Sequence, residues 1–300
     1  MSSFYGKLKR RGYFEGWYFK QQNKSESVAL IPAFHVDSAG RASASLQVIT
    51  GSQAYHLDYP AEESYKDSRE FLVHLGNCTF SGHGCKLDTA AEGCTLKGSL
   101  RFGPLTPPAY DMMGPFHFMP FMECRHSVLS LFHRVDGVIS VNGRRYFFEN
   151  SLGYLEGDRG FSFPRRYLWT HCSSNNVSVM LSVAEIPYGP FRFIGCTGFF
   201  YLNGKEQRIA TYCGAKLLHI SDGNVLLKQG AFMLKIKLLE SRSHPLRAPQ
   251  NGSMSRIIHE SASCRVQYTC WKNKTILFDF ISEQAGFENN WRSFHEPFKK

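Results

Sequence analysis

Hydrophobic and polar positions along this chain alternate with a period of two far more often than they repeat with the period of a helix. In Gly12-Tyr13-Phe14-Glu15-Gly16-Trp17-Tyr18-Phe19-Lys20 the alternation puts Tyr13, Glu15, Trp17 and Phe19 on one strand face and Phe14, Tyr18 and Lys20 on the other. Residues 27–36, 44–50, 71–80, 95–102 and 177–186 read as further strands. Asn142-Gly143, Asn203-Gly204 and Asp222-Gly223 each stand between apolar runs, and such pairs supply the positive φ that a two-residue hairpin turn needs. Residues 264–271 and 275–281 form a last pair, joined by Lys272-Asn273-Lys274. Helical periodicity is confined to a short turn near 164–167, and no repeat of fixed period is found.

So many antiparallel strands must bury one face and hide their edges, which a sandwich or closed barrel achieves. The length of 300 residues suits two barrels packed together. The expected division is 1–172 and 173–300, with the stretch 103–120, which carries five prolines, as the alternative junction or as a long loop over a cavity mouth. Residues 241–255 read as an exposed loop.

Composition adds constraints. The 14% aromatic share supports many strands around an apolar cavity. Nine cysteines, odd in number and lacking any C-x2-C pair, read as buried free thiols; Cys78, Cys85 and Cys94, near His74 and His83, lack zinc spacing, and no metal is expected. The N-terminus has basic residues but no apolar run behind them, and no stretch reaches a membrane span, so a reducing, cytoplasmic home is expected. The net charge of +10 is spread thinly, with one run from Lys7 to Arg11. A peripheral contact with a membrane surface fits it better than nucleic acid does.

Three clusters carry candidate chemistry: the opening strand, Gly114-Pro115-Phe116-His117-Phe118-Met119-Pro120-Phe121-Met122-Glu123-Cys124-Arg125-His126, and 153–164 followed by Tyr167 and Trp169. On a strand, Tyr154, Glu156 and Asp158 share one side, and two carboxylates there either raise one another's pKa or share cationic partners. Glu15 beside aromatic rings is either a rim carboxylate or a desolvated acid. A phosphate loop is excluded because no Gly-Lys-Ser/Thr follows Gly6, Gly12 and Gly16, and a hydrolase elbow because no Gly-x-Ser-x-Gly occurs. Cys124 and His126 lack a residue to orient the histidine as a thiol protease would, so Cys124 reads as a core residue.

GYFEGWYFK, GPFHFMPFMECRH, GYLEGDRGFSFPRRYLW, TYCGAK at 211–216 and MSRIIHES at 254–261, in that order, resemble the tocopherol cyclase family. The resemblance implies a fold like that of the lipocalin-like carotenoid hydratase group, with two β-barrels. It also implies closure of a prenylated hydroquinone to a chromanol, without a cofactor. An acid protonates the trisubstituted alkene, a tertiary cation forms, and the phenol oxygen traps it; a carboxyl in an apolar surround stays protonated near neutral pH. On the matching positions Asp158 is the first choice of proton donor and Glu156 the second. Glu123 and His126 position the phenol or relay its proton, and Glu15 hydrogen-bonds into the pocket. Trp17, Tyr154 and Trp169 face the cation, and Phe118 is a further substrate contact. The family often has an aromatic residue after the aspartate where this chain has Arg159, whose parity places it on the opposite strand face. A binding protein for a lipophilic quinone or terpenoid, and a hydratase of an isoprenoid double bond, are the alternatives.

Overall fold

The computed structural model describes residues 11–66, 70–91, 93–119, 122–174 and 176–291; Lys7 to Arg10 of the basic run, and Pro120 and Phe121, lie outside them. Strands make up 72% of the described residues, and no helix among them reaches seven residues, so side-chain alternation sets the architecture. The first sheet comprises β1 (Tyr13–Gln22), β2 (Ser27–Val36), β3 (Ala42–Ile49), β4 (Ala54–Pro60), β5 (Ser64–Lys66), β6 (Leu72–Leu75), β7 (Cys78–Ser81), β8 (Gly84–Ala91), β9 (Cys94–Phe102), β10 (Cys124–Val141) and β11 (Arg144–Gly160). The second comprises β12 (Tyr167–Ser173), β13 (Val177–Tyr188), β14 (Phe191–Leu202), β15 (Lys205–Ala210), β16 (Lys216–Ser221), β17 (Asn224–Gln229), β18 (Phe232–Glu240), β19 (His244–Gln250), β20 (Ser253–Lys272) and β21 (Thr275–Asn289).

Both sheets are meanders in which the first strand turns back to pair with the last: β1 lies between β2 and β11, and β12 between β13 and β21. The chain crosses from one sheet to the other within 161–166, so β12 already belongs to the second half. The proline-rich stretch 103–120 lies between β9 and β10. The hairpin turns follow their sequence signal. Asn142 and Gly143 have φ of 48° and 84°, Asn203 and Gly204 51° and 81°, and Asp222 and Gly223 44° and 79°.

Three local expectations are corrected. The run 71–80 is two strands, because Gly76 at φ 53° reverses the chain between Leu75 and Cys78. The short helical turn near 164–167 is absent, and Tyr167 opens β12. The supposed loop 241–255 contains β19, whose two prolines made it read as irregular. Leu246 and Ala248 of β19 are nonetheless buried, and its Arg247 backbone exchanges hydrogen bonds with the Gln47 side chain of the first sheet.

Each sheet curls around its own core as a barrel. Trp17, Phe19, Phe80, Phe102, Tyr146 and Leu155 belong to the first core, and Leu168, Phe200, Tyr268, Phe278 and Phe287 to the second. A third cluster, with Tyr18, Val128, Tyr154, Trp169, Met180, Phe199 and Ile258, lies where the barrels meet. Trp17 packs edge-on against Phe34 and tilted against Phe71, and Gly157 opposite it is obligatory, since a Cβ there would come within 2.9 Å of the indole. Trp17→Ala is expected to destabilise the fold by about 3–5 kcal/mol, as large cavities in packed cores do, while leaving turnover per folded molecule unchanged. Urea unfolding monitored alongside activity checks both halves of that expectation.

Candidate active site between the barrels

Strand β11 runs between β1 and β10, and its alternation aims Tyr154, Glu156 and Asp158 away from the first core. In register, Glu156 lies between Tyr18 of β1 and Val128 of β10, and Asp158 between Gly16 and His126. On the facing barrel, Glu288 of β21 lies between Trp169 of β12 and Glu260 of β20. The two triplets of strands enclose a cavity of about 890 Å³ of empty space, including its open mouth. His126, Glu156, Asp158, Trp169, Glu260 and Glu288 line its polar end, and Met113, Phe116, Phe163, Ile186 and Pro187 are among its apolar walls.

The polar end is tightly wired. Glu156 Oε2 accepts hydrogen bonds from Tyr154 Oη at 2.5 Å and Trp169 Nε1 at 3.1 Å, and lies 3.4 Å from His126 Nε2. The other nitrogen of His126 is 3.1 Å from Asp158 Oδ1, which also accepts the Cys124 thiol. Tyr154 stacks on His171 at 3.6 Å, and Trp169 meets Tyr18 edge-on. Gly286 makes room for Trp169, because a Cβ would lie 2.8 Å from its ring. Across the cavity Tyr167 Oη donates to Glu288.

Burial dominates the electrostatics. It pushes the Glu156 carboxyl up to about 7, against the pull of His126 and the Tyr154 and Trp169 hydrogen bonds. It pushes Glu288 up to about 8 and Glu260 well above the usual carboxylate range, with the neighbouring carboxylates adding to both shifts. Burial also works against a charge on His126, yet Glu156 and Asp158 outweigh it and raise the imidazole to about 9. The Cys124 thiol is driven well up by burial and by Asp158, which removes it as a nucleophile at neutral pH. One donor atom from each of His126, Glu156 and Asp158 lies within 4.8 Å of the others, close enough to share a divalent cation. His126 Nδ1 and Asp158 Oδ1 already hydrogen-bond to each other, Glu156 Oε2 accepts from Tyr154 and Trp169, and a protonated imidazole is no ligand.

The cavity gathers Asp158, Glu156, His126, Glu123 and Trp169 from the sequence-derived set, with Tyr154 held just behind Glu156. Glu123 sits half-buried at the edge, raised by desolvation. The histidine that lacked an orienting residue in sequence has one in Asp158. Three expected substrate contacts lie elsewhere. Trp17 and Glu15 are on the opposite face of β1, Trp17 inside the first barrel's core and Glu15 accepting from Tyr13 Oη at 3.0 Å. Phe118 is 86% exposed and is not part of the cavity wall. Arg159 is the register partner of Glu15, so by strand alternation it too faces away from Asp158. Glu260 and Glu288 were not among the expected site residues, although Glu260 lies in the 254–261 segment that carries the resemblance and Glu288 stands between Phe287 and Trp291.

No family model matches the chain, and no curated protein matches it significantly. The fold has solved counterparts. CghA, crystallised with Sch210972, is similar over 95% of this chain and 90% of its own, with a TM-score of 0.61 and 11% identity. Kievitone hydratase from Nectria haematococca is similar over 96% of this chain and 94% of its own, with a TM-score of 0.58 and 10% identity. The class so defined is the lipocalin-like double barrel, here with a carboxylate-rich cavity between the two barrels.

Proposed function

We propose that this chain is an acid–base enzyme that protonates an isoprenoid-type double bond in a lipophilic substrate, and in particular a tocopherol cyclase-like enzyme that closes a prenylated hydroquinone to a chromanol. The observation that carries the reading is Glu156, a buried carboxyl in a largely apolar cavity, held to about 7 and therefore able to carry a proton at neutral pH. Glu156 is preferred to Asp158 as the donor because its side chain is only 6% exposed against 25% for Asp158, and desolvation favours the protonated form. The proton passes from Glu156 to the less substituted alkene carbon, leaving a tertiary cation. Trp169, at the cavity wall, is the aromatic group placed to stabilise that charge. The phenol oxygen then closes the ring, and its proton returns to Glu156 by way of Asp158 and His126, which bridges the two, so atoms and charge balance and the acid is restored without a redox partner. Apolar walls favour capture of the cation by the phenol over capture by water.

Hydration is the second reading, supported by the fold shared with kievitone hydratase. Incubation of the purified protein with a prenylated hydroquinone, followed by chromatography and mass spectrometry, separates them. A cyclised product has the mass of the substrate and a hydrated one is heavier by one water. Substrate recovered unchanged but bound stoichiometrically would leave a carrier in place of an enzyme.

The Tyr154 hydroxyl stabilises the ionised form of Glu156. Tyr154→Phe removes that hydrogen bond and raises the acid further. Since the acid must be protonated, the high-pH limb of the rate profile is expected to move to higher pH; an unmoved limb would detach Glu156 from the proton transfer.

A further inference from the structure

The mouth of the cavity carries apolar groups that the catalytic reading leaves unused. The turn Gly114–Phe118 and the tip of the hairpin joining β13 to β14 stand on either side of it. Phe116 from the turn and Ile186 and Pro187 from the hairpin line the cavity, and Phe116 packs against Phe193 with ring centres 6.2 Å apart. Beyond these, Phe118 is 86% exposed, Phe191 71%, Tyr188 57% and Ile194 46%. Isolated exposed apolar residues need no explanation, but these four stand on the same two segments that supply Phe116, Ile186 and Pro187 to the cavity. Cations flank it. Arg125 donates to the carbonyl of His117 in the turn, and Arg192 sits next to the hairpin tip, paired with Glu185 and near Glu123. An adjoining groove adds Arg165, Arg166 and Arg256.

We propose that this aromatic and arginine-bordered rim docks on an anionic phospholipid surface, placing the cavity mouth against the bilayer. Two arguments select a bilayer over a second copy of the chain. A two-fold dimer through this patch would bring Arg125 and Arg192 towards their own symmetry mates, whereas lipid phosphates neutralise them. The patch is also continuous with the entrance of a cavity whose outer walls, Phe116, Ile186 and Pro187, are apolar, so a molecule dissolved in the bilayer enters without crossing water. Aromatic side chains at the depth of the headgroups and arginines reaching phosphates are the usual division of labour at such a surface.

The test uses the whole chain without substrate, so its outcome is independent of the cyclase reading. Protein is sedimented with phosphatidylcholine vesicles containing or lacking phosphatidylglycerol. Binding is expected on the anionic vesicles, to weaken with salt, and to fall about tenfold or more in Phe118→Ser/Phe191→Ser, two exposed positions whose loss should leave the melting temperature unchanged. A wild-type chain that stays in the supernatant, a variant that binds as well as wild type, or equal binding to neutral vesicles would each overturn the proposal. Sedimentation velocity without lipid supplies the remaining outcome. A dimer that the double substitution dissociates would mean that a second copy covers the rim, and would overturn it too.

Discussion

Glu156→Gln is expected to lower turnover of a prenylated hydroquinone by about 10²- to 10⁴-fold, the usual worth of a positioned general acid, with the far-ultraviolet circular dichroism unchanged. Glutamine has the size of glutamate and can still accept from Tyr154 and Trp169 through its carbonyl oxygen, so packing at the barrel junction survives. It has no acidic proton to give. Asp158→Asn is expected to cost less if its role is to hold His126 and collect the phenol proton, because a nearby carboxylate can take over the second task. Product formation at the wild-type rate in Glu156→Gln, together with a dead Asp158→Asn, would move the acid to Asp158; full activity in both would sink the mechanism. The substitutions are read by the same chromatographic separation of chromanol from substrate.

Stability should fall as pH rises from 6.5 to 8, and Glu288 should be a main cause. A carboxyl raised in the folded state keeps a proton that the unfolded chain releases, so its contribution is fully present below the unfolded value and is lost as pH climbs through the folded one. For Glu288 that window runs from the ordinary carboxylate range to about 8. Glu156, raised to about 7, acts in the same direction up to that point. His126 is raised to about 9, and its stabilisation is lost from its ordinary value upward, also in the same direction. The opposing groups offset part of the fall, and only near its low end, because an unfolded histidine is about half protonated at pH 6.5. His35 and His133 are pushed down by burial to about 3 and about 4, and His171 lower than usual, so their cost disappears once the unfolded histidines have lost their protons. Lys20, lowered by burial to about 8, adds stability only above that pH. A fully unmatched proton changes stability by about 1.4 kcal/mol per pH unit. Thermal melts at fixed ionic strength should therefore drop by several degrees across the interval. Glu288→Gln, permanently neutral, should flatten the curve by about one proton's worth. A variant with the wild-type slope would show that Glu288 ionises in the fold as it does in the unfolded chain.

Much of this architecture was legible in residue order. Period-two alternation marked the strands, and three Asn-Gly or Asp-Gly pairs adopt the positive φ their chemistry favours. Prolines hid β19, since an edge strand tolerates them while local reading treats them as breakers. At the candidate site, the common face of Tyr154, Glu156 and Asp158 followed from parity alone. Glu260, inside the quoted 254–261 segment, and Glu288, between Phe287 and Trp291, escaped because nothing local says which strand face meets another buried carboxylate. They become adjacent to each other only through the β20–β21 register, and to Glu156 only through packing of the barrels.

What the sequence determined by itself is therefore the set of strands, their turns and the face on which each side chain emerges, because these depend on neighbours within a few residues. Tertiary structure decided which face meets a core, which meets the other barrel and which meets water. In β1 both faces are buried: Trp17 and Phe19 enter the first core while Tyr18 and Lys20 meet the second barrel. Alternation distinguishes two faces but does not say what each will touch. For that reason Glu15 and Trp17, on the most conspicuous strand of the chain, lie outside the cavity, and the cavity itself is built from carboxylates that belong to opposite halves.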